Sequence, residues 1–250
     1  MDIFFSVIIP SLNEEYRLPL LLESLALQTK GNFEVIVNDS GSKDRTKEFA
    51  QNLGAKLPTL RFITNPTKNV SAARNHGASI AKGKWLIFFD ADVEVERDFI
   101  EKVEVHIKTN NLDALTVWNR PKTKNVKGVM TLALLNMSMT LFQKIKPAAN
   151  GPCILIKKEL FERLKGFDDT IFFGEDFDLI QRANKLGARF AVFPNPILYV
   201  STRRFEKEGL FSSLFKSFKA LFYQLIKGPI RTPIFEYEMG GQYYKKSQEK

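Results

Sequence analysis

What most constrains this chain is an alternation. Up to Trp118, short apolar runs rich in β-branched and aromatic residues take turns with stretches of helical periodicity. The strand candidates are "FFSVIIP" at 4–10, "FEVIV" at 33–37, "LRFIT" at 60–64, "WLIFF" at 85–89 and "ALTVW" at 114–118. Helical patterns fill 18–28, 43–53, 70–82 and 97–109. Strand and helix in strict succession require right-handed crossovers and a mostly parallel sheet with helices on both faces. The expected class is therefore α/β, with a Rossmann-like central sheet. Gly31, Gly54 and Gly83 fall near helix ends, where a left-handed residue is wanted.

Ligands of such sheets bind beyond the carboxyl ends of the strands. Those ends read "PSLNEE", "NDSGSKD", "NPTKNVSAARN" and "DADVE". Four successive polar or acidic ends favour one shared site over four unrelated loops.

Each stretch has a bland and a chemical reading. Asp90 and Asp92 share one side of the strand exit; they either face water or share a hard divalent cation, Mg2+ or Mn2+, with substrate phosphates. Asp39, after a buried strand, either holds the Ser40–Gly41 turn or accepts a hydrogen bond from a base or ribose, while Asp44 caps the next helix. In "NVSAARNHG", small residues open the helix start to close approach, Arg74 offers a permanent cation, and Asn75 can orient its neighbours. In "FFGEDFDL", Glu175, Asp176 and Asp178 suit a helix N-terminus; the aromatic pair before them allows a walled cavity with a carboxylate as general base. His76 and His106, each without a second histidine at ligand spacing, read as packing or surface residues.

After Trp118 the pattern changes. The run 126–145 is apolar on most of its circumference, so at least two surfaces should cover it. "GPCILI" reads as a returning strand, "KKELFERLKGFD" and "GEDFDLIQRANKLG" as helices, and "RFAVF" and "ILYV" as two further strands. Over 210–227, Leu and Phe recur at helical spacing opposite Ser212, Ser213, Lys216, Lys219 and Gln224. The domain is placed at 1–207, and 208–250 is an amphipathic helix with a tail.

The formal charge of +9 calls for an anionic partner. With no aromatic RNA-binding box and no zinc-finger spacing, nucleic acid is set aside. The single cysteine, Cys153, suits a reducing compartment. "MDIFFSVIIP" reads as a first strand and not as a targeting segment, and no run is apolar enough to span a bilayer. A cytoplasmic location is expected, with peripheral contact on the cytoplasmic membrane face through 209–231 or, equally, packing of that segment on the enzyme or against a second copy in a homodimer.

Taken in order, "VIIPSLNEE", "VNDSGSKDRT", "NVSAARNHG", "IFFDADVEVE", "NGPCILIKKELFERLKGFDD" and "FFGEDFDLIQRANKLG" resemble the blocks of the inverting family 2 glycosyltransferases. That resemblance implies the GT-A fold. It implies that Pro10, Ser11, Asn13, Glu14 and Asp39 surround the base and ribose of a UDP- or GDP-linked sugar, with Arg74 nearby. Asp90, Ala91 and Asp92 would be the D-x-D, Asp92 the more direct ligand of Mg2+ or Mn2+. Asp176 would be the catalytic base and Glu175 its acceptor-binding neighbour. Many relatives carry a metal-binding histidine after the last strands; here "YVSTRRF" offers Arg203 and Arg204, which could bind the diphosphate directly. The implied acceptor is a glycan or lipid-linked hydroxyl. The alternatives are transfer to a polyprenyl phosphate and a non-catalytic nucleotide-binding protein.

Overall fold

A computed structural model describes residues 2–65, 69–122, 126–149 and 151–201, and in the C-terminal part 216, 219, 220, 223, 224 and 226–235. Its elements are β1 (Phe5–Ser11), α1 (Leu18–Ala26), β2 (Phe33–Asp39), α2 (Thr46–Gly54), β3 (Leu60–Thr64), α3 (Val70–Ser79), β4 (Trp85–Phe89), β5 (Val93–Val95), α4 (Phe99–Asn110), β6 (Ala114–Pro121), α5 (Val126–Phe142), β7 (Cys153–Lys157), α6 (Lys158–Arg163), α7 (Glu175–Lys185) and β8 (Phe190–Val200).

The strands form one sheet in the order β3-β2-β1-β4-β7-β6-β8-β5. From β3 to β4 all neighbours are parallel. Beyond β4 the sheet is mixed: β7 runs antiparallel to β4 and β6, β8 parallel to β6, and β5 antiparallel to β8. The expected parallel architecture thus describes the first half. The returning chain reverses direction where the strict alternation stops.

Sheet pleating sorts side chains to two cores. Phe5, Val7 and Ile9 of β1 meet Leu18, Leu21, Leu22 and Leu25 of α1 on one face, while Ile8 and Ile36 join Phe88, Ile154, Leu179 and Ile180 on the other. Both faces being covered explains why β2 and β4 are buried along their length. α3 lies close on β1, because a Cβ at Gly77 would come 2.5 Å from Ile8 Cγ2.

Several expectations are corrected. Gly31, Gly54 and Gly83 are not left-handed; Asn111 after α4, Gly166 after α6 and Gly187 after α7 are. Gly83 is instead a close approach, since a Cβ there would lie 2.6 Å from the backbone of Phe5 and Ser6. The short β5 was not anticipated, and "RFAVF" and "ILYV" form one strand, β8. A register shift against β6 between Val117 and Asn119 absorbs the irregularity.

The largest correction concerns α5. Leu132, Asn136 and Met139 face the sheet, with Asn136 clamping the backbone of Asn119 through both amide atoms. The opposite face is not covered: Met130, Leu134, Met137 and Leu141 are half or more exposed.

Of the C-terminal segment, Leu210, Phe211, Leu214, Phe215, Phe218, Leu221, Phe222 and Leu225 lie outside the described residues, as do Arg203 and Arg204. The described part packs back on the domain. Ile230, fully buried, pairs with Phe173, its carbonyl accepting the Phe172 N–H at 2.7 Å. Arg231 reaches Asp168 at 2.9 Å, and Phe235 packs edge-on against Phe173 at 5.1 Å between centroids. Among the described residues no helix is long and apolar enough to cross a membrane.

Candidate active site

At the carboxyl ends of β1 and β2, acids hold the loops together. Asp39 is the last residue of β2, and its carboxylate accepts the N–H groups of Gly41 at 3.0 Å and Ser42 at 2.9 Å. The hydroxyls of Ser11, at 3.2 Å, and Ser42 donate to its other oxygen. Asn13, in a left-handed conformation, takes the Lys43 N–H on its side chain at 2.9 Å and gives its own N–H to Ser42. Glu14 is buried and its N–H donates to Thr46 Oγ1 at 2.9 Å. Asp44 accepts the N–H of Thr46 and that of Glu15, so it ties the start of α2 to the first loop. Pro10 and Ser11 pair with Asn38 and Asp39 across the strands, which brings the first two blocks side by side.

The third block starts α3. Asn69 caps it, its side chain accepting from Ser71 and Ala72, and its amide donates to Asp169 O at 2.7 Å. Ser71 and Ala73 are buried toward the sheet, so the small residues serve helix packing. Asn75 both donates to Phe167 O and accepts from Phe167 N, fixing the turn at Gly166. His76 is exposed, and His106 stacks on Phe193 with centroids 3.9 Å apart, as expected of structural histidines.

Arg74 joins the remaining blocks. Its side chain is only 2% exposed, yet it carries a full charge: Nη2 donates to Asp90 Oδ1 and Nη1 to Glu175 Oε1, both at 2.8 Å. Nη2 also reaches the carbonyl of Gly151 at 3.3 Å, and the guanidinium lies 5.3 Å from the Phe167 ring centroid. Burial works against the charge, but Asp90, Glu175 and Asp176 outweigh it and hold the guanidinium above its ordinary pKa. Nε has no partner. One cation therefore sits beside three carboxylates, one just after β4 and two at the start of α7.

Those carboxylates are not equivalent. α7 begins at Glu175 after Gly174, whose φ of 83° is left-handed. Asp178 is taken by Arg182 at 2.7 Å, and Glu175 by Arg74. Asp176 lies against Gly151, where a Cβ would come 3.3 Å from its Oδ2. Burial, then the neighbouring Glu175 charge, push its carboxyl up to about 7, against the Phe177 N–H and Arg74, which lower it. Such a carboxyl accepts a proton readily near neutrality, as a general base must. Of the aromatic pair, Phe173 packs against Phe235 and pairs with Ile230 of the C-terminal segment.

Asp92 lies two residues beyond Asp90, partly exposed, with Ala91 buried between them. Asp90 is 35% exposed, and Arg74 engages one of its oxygens. Among the described residues no three His, Cys, Asp or Glu side chains are placed to hold a metal. The pair fits a hard cation that takes its remaining ligands from phosphate and water, and does not fit a cage made by protein alone. The Cys153 thiol, buried in the core near Asp90, is pushed up by burial and is inert.

The carbonyl of Gly151 under Arg74, the Phe167 ring and Gln224 at the α7 start were not legible as site neighbours. A Cβ at Gly174 would come 2.3 Å from Gln224 Nε2, so the C-terminal segment reaches the start of the acid-bearing helix.

The chain is similar to known proteins. The family model described as Glycosyl transferase family 2 matches residues 6–164, ending before Glu175 and Asp176. An uncharacterized glycosyltransferase of Haemophilus influenzae is 32% identical over 183 residues, 70% of this chain and 60% of that protein. A PGL/p-HBAD biosynthesis glycosyltransferase of Mycobacterium tuberculosis is 41% identical over 108 residues, 41% of each chain. The chain thus spans about half the length of these curated relatives. Among solved structures, S. aureus TarS with UDP aligns at TM-score 0.66 and 23% identity, covering 82% of this chain and 62% of that one. A mannosyltransferase of Pyrobaculum calidifontis with GDP-Man and Mn2+ aligns at TM-score 0.69 and 20% identity, covering 86% and 64%. The shared architecture is the GT-A fold.

Proposed function

Because the chain belongs to glycosyl transferase family 2, we propose that it transfers a sugar from a UDP- or GDP-linked donor to a hydroxyl of a glycan or lipid-linked acceptor, with inversion at the anomeric carbon. The observation that carries this reading is Asp176: a carboxyl raised to about 7 at the sheet's ligand edge, beside a buried arginine that also holds Glu175 and Asp90.

In this mechanism Asp176 takes the acceptor's hydroxyl proton as the acceptor oxygen bonds to the anomeric carbon and the bond to the diphosphate breaks. Glu175, with one oxygen fixed by Arg74, offers the other to an acceptor hydroxyl. Arg74 holds Glu175 and Asp90 in register through direct hydrogen bonds, and its charge acts on Asp176 beside them. The loops organised by Asp39, Asn13 and Glu14 bind the base and ribose, with Pro10, Ser11 and Ala91 along the same edge. Asp90 and Asp92 would hold Mg2+ or Mn2+, which neutralises charge on the departing diphosphate. Arg203 and Arg204 are assigned to the diphosphate by residue type alone.

Support for a nucleotide-sugar donor comes from the neighbours, one with UDP and one with GDP-Man and Mn2+. A poised carboxyl favours a hydroxyl acceptor over a polyprenyl phosphate, which is already anionic and needs no base. The test is transfer by the purified full chain from UDP- and GDP-sugars, with Mg2+ or Mn2+, to glycans, lipid-linked glycans and polyprenyl phosphate. Transfer to a hydroxyl supports the reading; transfer to polyprenyl phosphate alone replaces it, and nucleotide binding with no transfer rejects catalysis.

A further inference from the structure

The uncovered face of α5 is the strongest feature that the catalytic reading does not use. Met130, Leu134, Met137 and Leu141 recur at spacings of three and four and lie opposite the buried Leu132, Asn136 and Met139. Their exposures are 60%, 60%, 50% and 68%, and Val129, Leu135, Phe142 and the following Ile145 widen the apolar surface. Scattered exposed apolar residues need no explanation, but a contiguous face along a 17-residue helix does.

Charge indicates what covers it. Residues 126–149 contain no Asp or Glu, while Lys127 stands near the start and Lys144 and Lys146 follow the end. Pairing with a second copy about a two-fold axis would bring lysine-bearing ends together, whether the helices run parallel or antiparallel, with no acid in the stretch to offset them. An anionic lipid surface meets both ends favourably and accepts the apolar side chains between them. The net charge of +9 acts in the same direction.

The face also adjoins the site. Beyond α5, Lys146 lies over the Phe177 ring at 5.4 Å, next to Asp176, and the carbonyl of Pro147 accepts from Gln181 of α7. A surface bound along α5 would lie beside the helix that carries the acids.

We propose that α5 is an interfacial helix that docks the protein on an anionic membrane surface through Met130, Leu134, Met137 and Leu141. This inference stands on the helix alone and does not depend on the catalytic role of Asp176. It differs from docking through 209–231, a segment whose described residues partly engage the domain.

The experiment is flotation of the full chain with vesicles of phosphatidylcholine plus phosphatidylglycerol and of phosphatidylcholine alone. It compares the natural sequence with a variant carrying Met130→Gln, Leu134→Gln, Met137→Gln and Leu141→Gln. Because these side chains are exposed, the variant should keep its thermal melt and nucleotide affinity, which checks that it is folded. The natural chain should float with the anionic vesicles, less so at high salt, and the variant's partitioning should fall by more than about tenfold. Equal flotation of the two proteins, or a natural chain that stays with the soluble fraction, overturns the proposal. So does a natural dimer in sedimentation that the four substitutions convert to monomer, which would make the face a contact between copies.

Discussion

Two groups of acids occupy the same edge of one sheet and do different things. Around the ends of β1 and β2, Asp39 and Asp44 spend their oxygens on backbone N–H and hydroxyl groups of their own loops. Around Arg74, three carboxylates share one buried cation, and Asp176 is left raised toward neutrality. The first group fixes the loops proposed to bind the nucleotide. The second raises one carboxyl toward neutrality, which suits the proton transfer proposed for it.

Breaking the second group should hit turnover. Asp176→Asn should lower kcat by about 10²–10⁴-fold, the usual contribution of a general base, with donor affinity nearly unchanged by calorimetry. Next comes Arg74→Met, which leaves Glu175 and Asp90 without their partner; urea unfolding should show a loss of about 3 kcal/mol, since breaking a buried pair is costly and Asp90 is partly solvated.

Stability against pH separates the groups further. Asp176 has a folded pKa above its ordinary 3.8, so the folded state binds the proton more tightly than the unfolded one. Its ionisation therefore costs stability as pH rises from about 4 to about 7, and the cost is constant above that window. Asp176→Asn removes it, so the variant should match the natural chain below pH 4 and exceed it at pH 8 by on the order of a few kcal/mol.

The first group should answer differently. Asp39→Ala leaves the Gly41 and Ser42 N–H groups without their acceptor; a loss of about 1–2 kcal/mol and a raised donor KM with kcat retained are expected from steady-state kinetics and melting. A fall in kcat with KM intact would erase the distinction between the two groups. Smallest is Arg231→Ala: its pair with Asp168 is half-exposed, so about 0.5 kcal/mol or less should be lost in melting.

The strands up to β4 were legible because apolar runs of that length, alternating with helical periods, admit few other folds. Asp90, Glu175 and Asp176 were legible as acids at strand and helix ends. Their common partner was not: nothing local to Arg74 says that it is buried, because Asp90 and Glu175 come from distant parts of the chain. α5 misled for the opposite reason. Its apolar circumference implies burial on two sides, yet the buried ones among its described residues, Gly128, Leu132, Asn136 and Met139, lie on one face. Periodicity reports which side chains avoid water, not whether protein or lipid receives them.

Asp176, its carboxyl raised to about 7 beside Arg74, is the base in the proposed mechanism. The most direct measurement is kcat against pH for the natural chain and Asp176→Asn, at saturating donor with a hydroxyl acceptor. The natural chain should gain turnover with unit slope up to about pH 7 and then level, and the variant should be low and flat. A natural profile with no break near 7, or a variant that keeps the same break and turnover, would contradict it.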